Sequence, residues 1–274
     1  MRETPELFDQ SALKRQRRQA HEMFLQNRAA TEVEERLSEI NRAFTALAVI
    51  TPFPSLWQGR LPDARILAPA ATLALGESSA DLVIHGLALH TADDPVGQLI
   101  QVRRALRPDG LFVGTLFGGQ TLFELRASLA EAEVALTGGL SQRVSPMADI
   151  RDLGALLQRA GFALPVADTD RVTVAYRDLR HLRNDLRAMG EGNALAGRRR
   201  TPPPRDLFPL AERIYREKFS TEDGKLAATF EIVTLTGWAP APEQPRPLRP
   251  GSAQARLADA LNTIETALPR GEDT

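Results

Sequence analysis

The sequence predicts an α/β protein built on a mostly parallel sheet with an antiparallel C-terminal edge. Two observations carry this. The first is the stretch 81–119, where apolar runs at 82–84 and 111–117 flank a helical pattern. In that pattern Val96, Leu99, Ile100, Val102 and Leu106 share one side, and Arg103, Arg104 and Arg107 fall mostly outside it. Pro108, Asp109 and Gly110 stop the helix. Strand, helix, strand at this spacing is a crossover, because parallel strands need a covering helix and are then buried on both faces. The second observation is the alternation at 162–166 and 171–176, for which 230–235 supplies an antiparallel partner. With early strands at 44–50 and 64–67, seven runs are available to the sheet.

Composition narrows the function classes. A chain of 274 residues with 43% hydrophobic and 25% charged residues can build one large core. The formal net charge of −1 offers no positive field for collecting nucleic-acid phosphates. Without cysteine there is no disulfide, thiolate metal site or cysteine nucleophile. The histidines show neither H-x-x-H nor H-E-x-x-H spacing, so no metal site is expected. No apolar run approaches the ~18 residues of a membrane span. The charged N-terminus lacks a signal-peptide core, and a cytoplasmic protein, or one peripheral to a membrane, is expected.

Residues 1–43 form a charged helical segment. Thr31 and Glu34 have capping-box spacing and start a helix striped by Val33, Leu37 and Ile40. The segment reads either as an amphipathic helix lying on the domain or as a basic arm for a membrane surface or an acidic partner. The strand at 44–50 then runs into TPFPSLWQG, where Pro52 and Pro54 each remove a backbone donor. A nucleotide-binding turn wants glycines and free amides at that point. A helix of about two turns fits between 55 and 61, and the second strand ends in APAA.

Beyond 119, a helix at 121–136 stops at Gly138 and Gly139, and another at 149–160 stops at Gly161. Residues 178–223 read as a helical insertion with helices at 179–189 and 207–219. Between them Arg198, Arg199 and Arg200 precede a proline run, either as a solvated loop or as a docking patch. The domain proper spans 44–238, and 239–274 is a proline-rich tail with a short helix at 254–268. Asp93 and Asp94, before Pro95, read as helix caps.

Several segments together carry a family resemblance: FDQSALKRQRRQA, ATLALGESSADLVIHGLALHTADDP, RRALRPDGLFVGTLFGG, DIRDLGALLQRAGFALPVADTDRVTVAY, YRDLRHLRNDLRAMGEGNAL and ATFEIVTLTGWAP. The chain resembles class I S-adenosylmethionine-dependent methyltransferases, which implies a Rossmann-like sheet. Within that superfamily it is most similar to the group containing an assembly factor of mitochondrial respiratory complex I. That group is associated with arginine hydroxylation of its client. The malonyl-carrier-protein methyltransferases of biotin synthesis are more distant.

The resemblance implies S-adenosylmethionine as cofactor and sharpens the departures. The family's glycine loop has no counterpart between Ile50 and Trp57, and its ribose carboxylate is replaced by Ala68, Pro69 and Ala70. The adenine-side carboxylate ahead of the apolar pair Leu73 and Leu75 is also absent. Weak or no cofactor binding is expected, with His85 and Leu75 as vestiges of that site. By the same resemblance His90, Tyr176, Asp178 and Arg180 approach the substrate pocket, the last three reading equally as a solvated strand end; the charge run Arg198, Arg199 and Arg200 is a candidate contact for a protein client, a respiratory complex I subunit. Three functions follow: a pseudo-enzyme or assembly factor, an active methyltransferase, or an arginine hydroxylase-like modifier. His85 otherwise reads as a pocket-rim histidine with no catalytic task, and His90 either serves as a base near neutral pH or packs half-buried.

Overall fold

The crossover read from the sequence lies at the centre of the sheet. In the computed structural model, which describes residues 6–244, β3 (Ala80–Gly86) and β4 (Leu106–Phe117) pair in parallel, with α4 (Pro95–Ala105) between them in sequence. Leu82, Val83, Ile84, Phe112 and Val113 are all fully buried. Alternation sends them to two different helical layers. Leu82, Ile84 and Val113 meet Val33 of α2 (Phe24–Glu39) and Trp57 of α3 (Pro54–Gln58). Val83 and Phe112 meet Leu99 and Val102 of α4 and Leu153 and Leu157 of α6 (Ile150–Arg159). This is a helix–sheet–helix sandwich, as a doubly buried parallel sheet requires.

The order is β2-β1-β3-β4-β6-β5. Strands β1 (Leu47–Ile50) and β2 (Arg65–Leu67) extend the parallel half, and β6 (Leu226–Trp238) lies antiparallel between β4 and β5 (Ala163–Tyr176). There are six strands among the described residues where seven were expected. The runs at 162–166 and 171–176 are one strand, because the intervening Ala167, Asp168, Thr169 and Asp170 keep their register on β6. Asp168 and Asp170 pair there with Arg36 and Arg28 of α2 along the edge strand and do not interrupt its backbone ladder. β1 begins at Leu47 and not at 44, since Asp81 accepts from the backbone N–H groups of Thr45 and Ala46 ahead of it.

The expected start at Thr31 is also corrected. Thr31 lies inside α2, and the capping-box spacing there is coincidental. The expected cap Asp94 holds, accepting a backbone N–H in the first turn of α4, and Asp149 and Asp178 do the same for α6 and α7 (Leu179–Ala188). Asp93 is no cap; it accepts from the amides of Leu7 and Phe8 and so holds the N-terminal segment against the domain.

That segment, with α1 (Gln10–Arg18), runs beside the insertion. Phe8 and Leu195 form an antiparallel bridge, and Phe8, Ala12 and Leu13 pack on Ala194 and Leu195. The described residues up to Pro240 belong to one unit; the expected helix at 254–268 lies outside the described residues.

Candidate functional site

Two places matter, and the chain treats them in opposite ways. The first is the corner after β1 and β2. The Thr51 amide donates to Leu67 O at 2.9 Å, and the Phe53 amide to Thr51 Oγ1 at 3.1 Å. Pro52 and Pro54 have no amide to give, so the four residues after β1 present no free backbone donor. Trp57 is 2% exposed, and a Cβ at Gly86 would lie 2.9 Å from its indole Nε1. The indole therefore rests on the backbone where β3 ends.

The loop after β2 is held by α4. Gln98 Nε2 donates to Ala70 O at 3.1 Å, Gln101 Nε2 to Ala71 O at 2.8 Å, and Gln101 Oε1 accepts from the Leu73 amide at 2.8 Å. Because Gln98 spends its amide nitrogen on Ala70, its oxygen accepts from His85 Nε2 at 2.9 Å. That assigns the Nε2–H tautomer. His85 is fully buried, and burial pushes its pKa down to about 4, so the ring is neutral near pH 7. His85 thus braces a loop from within the core and does not stand at a pocket rim. Leu75 is half-buried against the same core layer.

The second place is a cavity of about 610 Å³. Its walls come from α5 (Phe123–Thr137), α7, α8 (Leu207–Phe219), the 143–147 loop and the N-terminal segment. Apolar side chains dominate, among them Leu25, Phe117, Leu125, Leu129, Leu182 and Phe230. Into this lining project His90 and Glu191. His90 sits on a single 3-10 turn, Leu89–Thr91, with its ring against Phe117 at 4.9 Å between centroids. Its Nε2 stands 3.7 Å from Glu191 Oε2, and neither ring nitrogen has a hydrogen-bond partner.

Glu191 is ion-paired with Arg17 at 3.4 Å, the two side chains being 13% and 7% exposed. Burial opposes ionisation of Glu191, but the Arg17 guanidinium leads the opposing effects and its pKa stays below the ordinary range. Burial lowers the pKa of His90 against the pull of Glu191. The resting arrangement is a charged Arg17–Glu191 pair beside a neutral imidazole. It can orient a polar group or accept a proton at His90.

Gly190 makes this meeting possible. It follows α7 with φ of +76°, and a Cβ there would approach the Arg17 Cα to 3.0 Å. Glycine both turns the chain and lets the end of α1 lie against it.

The other expected site residues divide. Arg180 lines the cavity as expected, together with Arg183 and Arg187. Tyr176 does not stand at a pocket mouth: it is 2% exposed, and its hydroxyl donates to Asp185 at 2.6 Å. Asp178 caps α7. The basic run is split. Arg198 donates to Asp9 at 2.7 Å and to Leu195 O at 2.7 Å, and its side chain is only 17% exposed. Arg199 donates to Thr201, and Arg200 reaches Asp9 at 3.5 Å while 71% exposed. Arg198 fastens the N-terminal segment to the insertion and is not free for a client. Sequence reasoning missed Glu191 and Arg17. A glutamate between two glycines in MGEGNAL was the available signal for the first; Arg17 sits in a charge run that offers none.

Comparison with known proteins adds the family. Residues 30–114 match a model described as a methyltransferase domain. The chain is 41% identical over 206 residues to a rat protein named arginine-hydroxylase NDUFAF5, mitochondrial, covering 75% of this chain and 60% of the relative. The human counterpart is 40% identical over 212 residues, covering 77% and 61%. A malonyl-[acyl-carrier protein] O-methyltransferase from Laribacter hongkongensis is 36% identical over 200 residues, covering 71% and 65%. The chain spans less than two thirds of the length of each of these relatives. With its parallel sheet, antiparallel β6 and methyltransferase-domain match, the chain belongs to the class I S-adenosylmethionine-dependent methyltransferase superfamily.

Proposed function

We propose that this is a superfamily member with a degenerate cofactor corner that acts as an assembly factor on a protein client, a subunit of respiratory complex I. One observation carries the first half. Every backbone donor in the four residues after β1 is either absent or spent within the protein, and Trp57 packs on the end of β3. A cofactor with a charged methionine moiety and a ribose diol needs those donors and a carboxylate after β2. Ala68, Pro69 and Ala70 supply none. The residues present do not fit S-adenosylmethionine, and no methyl-transfer step is assigned. Similarity to the arginine-hydroxylase relatives supports the second half.

The same similarity favours one second reading, an arginine hydroxylase-like modification of the client. Both are tested by recovering the protein with its bound proteins from the native host and mapping the client by mass spectrometry. Recovery of a complex I subunit supports the assembly role. A host lacking the protein then decides between the readings: loss of one oxygen from a client arginine supports modification, and an unaltered client supports assembly alone. Failure to recover any respiratory subunit contradicts the client assignment.

A further inference from the structure

The cavity has a mouth of one sign. Arg180, Arg183 and Arg187 line it at i, i+3 and i+7 of α7, a spacing that puts all three on one helix face. All three are exposed. Among the described residues the Arg180 and Arg187 side chains have no hydrogen bond or ion pair, and the Arg183 side chain reaches only the Asn184 side chain at 3.5 Å.

The nearby carboxylates are already engaged. Glu212 is bound to Arg216 at 2.8 Å and faces the Leu179 amide. Asp185 accepts from Tyr176, and Asp178 caps α7 and meets Arg177 at 3.1 Å. The fourth arginine of the cavity wall, Arg143, lies off α7 and is held by both oxygens of Glu133. No acid at the mouth neutralises the α7 stripe.

Behind it lies an apolar interior within the size range of small-molecule pockets, roughly 300–1,000 Å³. Phe208 on α8, 37% exposed, continues the apolar lining towards the opening. A cavity whose lining is mostly apolar, with His90 and the Arg17-paired Glu191 as its polar corner, and that is cationic at its lip matches a ligand that is apolar along its body and anionic at one end. We propose that the cavity binds a single-chain fatty carboxylate, its chain among Leu125, Leu129, Leu182 and Phe230 and its carboxylate over Arg180, Arg183 and Arg187. Chain burial supplies most of the affinity, as each methylene removed from water contributes. Arginine forks give the preference for a carboxylate end. This site goes beyond the proposed assembly role and does not depend on the cofactor corner.

The test is calorimetric titration of the full chain with monomeric dodecanoate, dodecanol and butyrate. Dodecanoate should bind saturably with a micromolar dissociation constant, dodecanol at least ~10-fold more weakly, and butyrate not measurably. The exposed triple variant Arg180→Gln, Arg183→Gln, Arg187→Gln should lose about tenfold for dodecanoate and leave dodecanol unchanged, which removes the preference. Leu129→Trp, which fills the interior, should abolish binding of both, with its fold checked by thermal unfolding. If that variant fails to fold, the triple variant and the acid–alcohol comparison still decide. No saturable binding of dodecanoate up to about millimolar concentration overturns the proposal. So does equal affinity for acid and alcohol, or binding only to phosphatidylglycerol vesicles, which would make the stripe a membrane-docking face.

Discussion

His90 and Glu191 approach to 3.7 Å across the wall of the cavity, although one belongs to the turn after β3 and the other to the insertion. Glu191 is charged because Arg17 pairs with it from the N-terminal helix. Removing one member therefore strands the other. Glu191→Gln should destabilise by roughly 3–5 kcal/mol, since a buried guanidinium loses its counter-charge. The double variant Arg17→Met, Glu191→Gln should recover a large part of that loss. Chemical denaturation of the three proteins checks this; equal stabilities would mean that the pair is solvated and contributes little.

Stability should fall on mild acidification because of His85. Its folded-state pKa is about 4, against 6.5 for a free side chain, so the unfolded chain takes up a proton that the folded one refuses. The contribution is fully present above pH 6.5 and is lost as pH falls from there towards 4. Melting temperatures measured across that window should drop more steeply for wild type than for His85→Gln. Parallel curves would mean that the imidazole is reached by water.

Arg198 and Arg199 should behave differently despite being neighbours. Arg198→Ser frees Asp9 and the first helix from the insertion and should lower the melting temperature and speed proteolysis near residue 20. Arg199→Ser should shift the melting temperature by no more than about a degree, as surface substitutions do. Equal effects would contradict the fastening role.

The sheet centre offers the plainest stability test. Val83→Ala or Phe112→Ala should cost about 2–5 kcal/mol, because both side chains are fully buried and their removal leaves a cavity. Unfolding of either variant at the wild-type denaturant midpoint would refute the packing described here.

Most of the fold was legible because its signals are local. Apolar runs, Asp94 ahead of Pro95, and Gly138 and Gly161 behind their helices declare their elements within a few residues. β5 was split in the reading because polar residues on an edge strand weaken periodicity without breaking the ladder on β6. The scarcity of backbone donors after β1 was legible for a similar reason, as Pro52 and Pro54 remove donors wherever they stand. The cavity was not. Arg17 and Glu191 are 174 positions apart, and the pairing depends on how α1 meets the turn at Gly190. Arg198 was misread for the same reason: nothing near it in sequence shows that Asp9 takes its charge.

The central claim is that the corner after β1 and β2 no longer holds S-adenosylmethionine, and calorimetric titration with S-adenosylhomocysteine tests it most directly. With Thr51 and Phe53 amides spent, prolines between them and no carboxylate beyond β2, no saturable heat should appear up to about millimolar ligand, a limit of roughly −4 kcal/mol. A micromolar dissociation constant would contradict the account and restore methyl transfer as the activity.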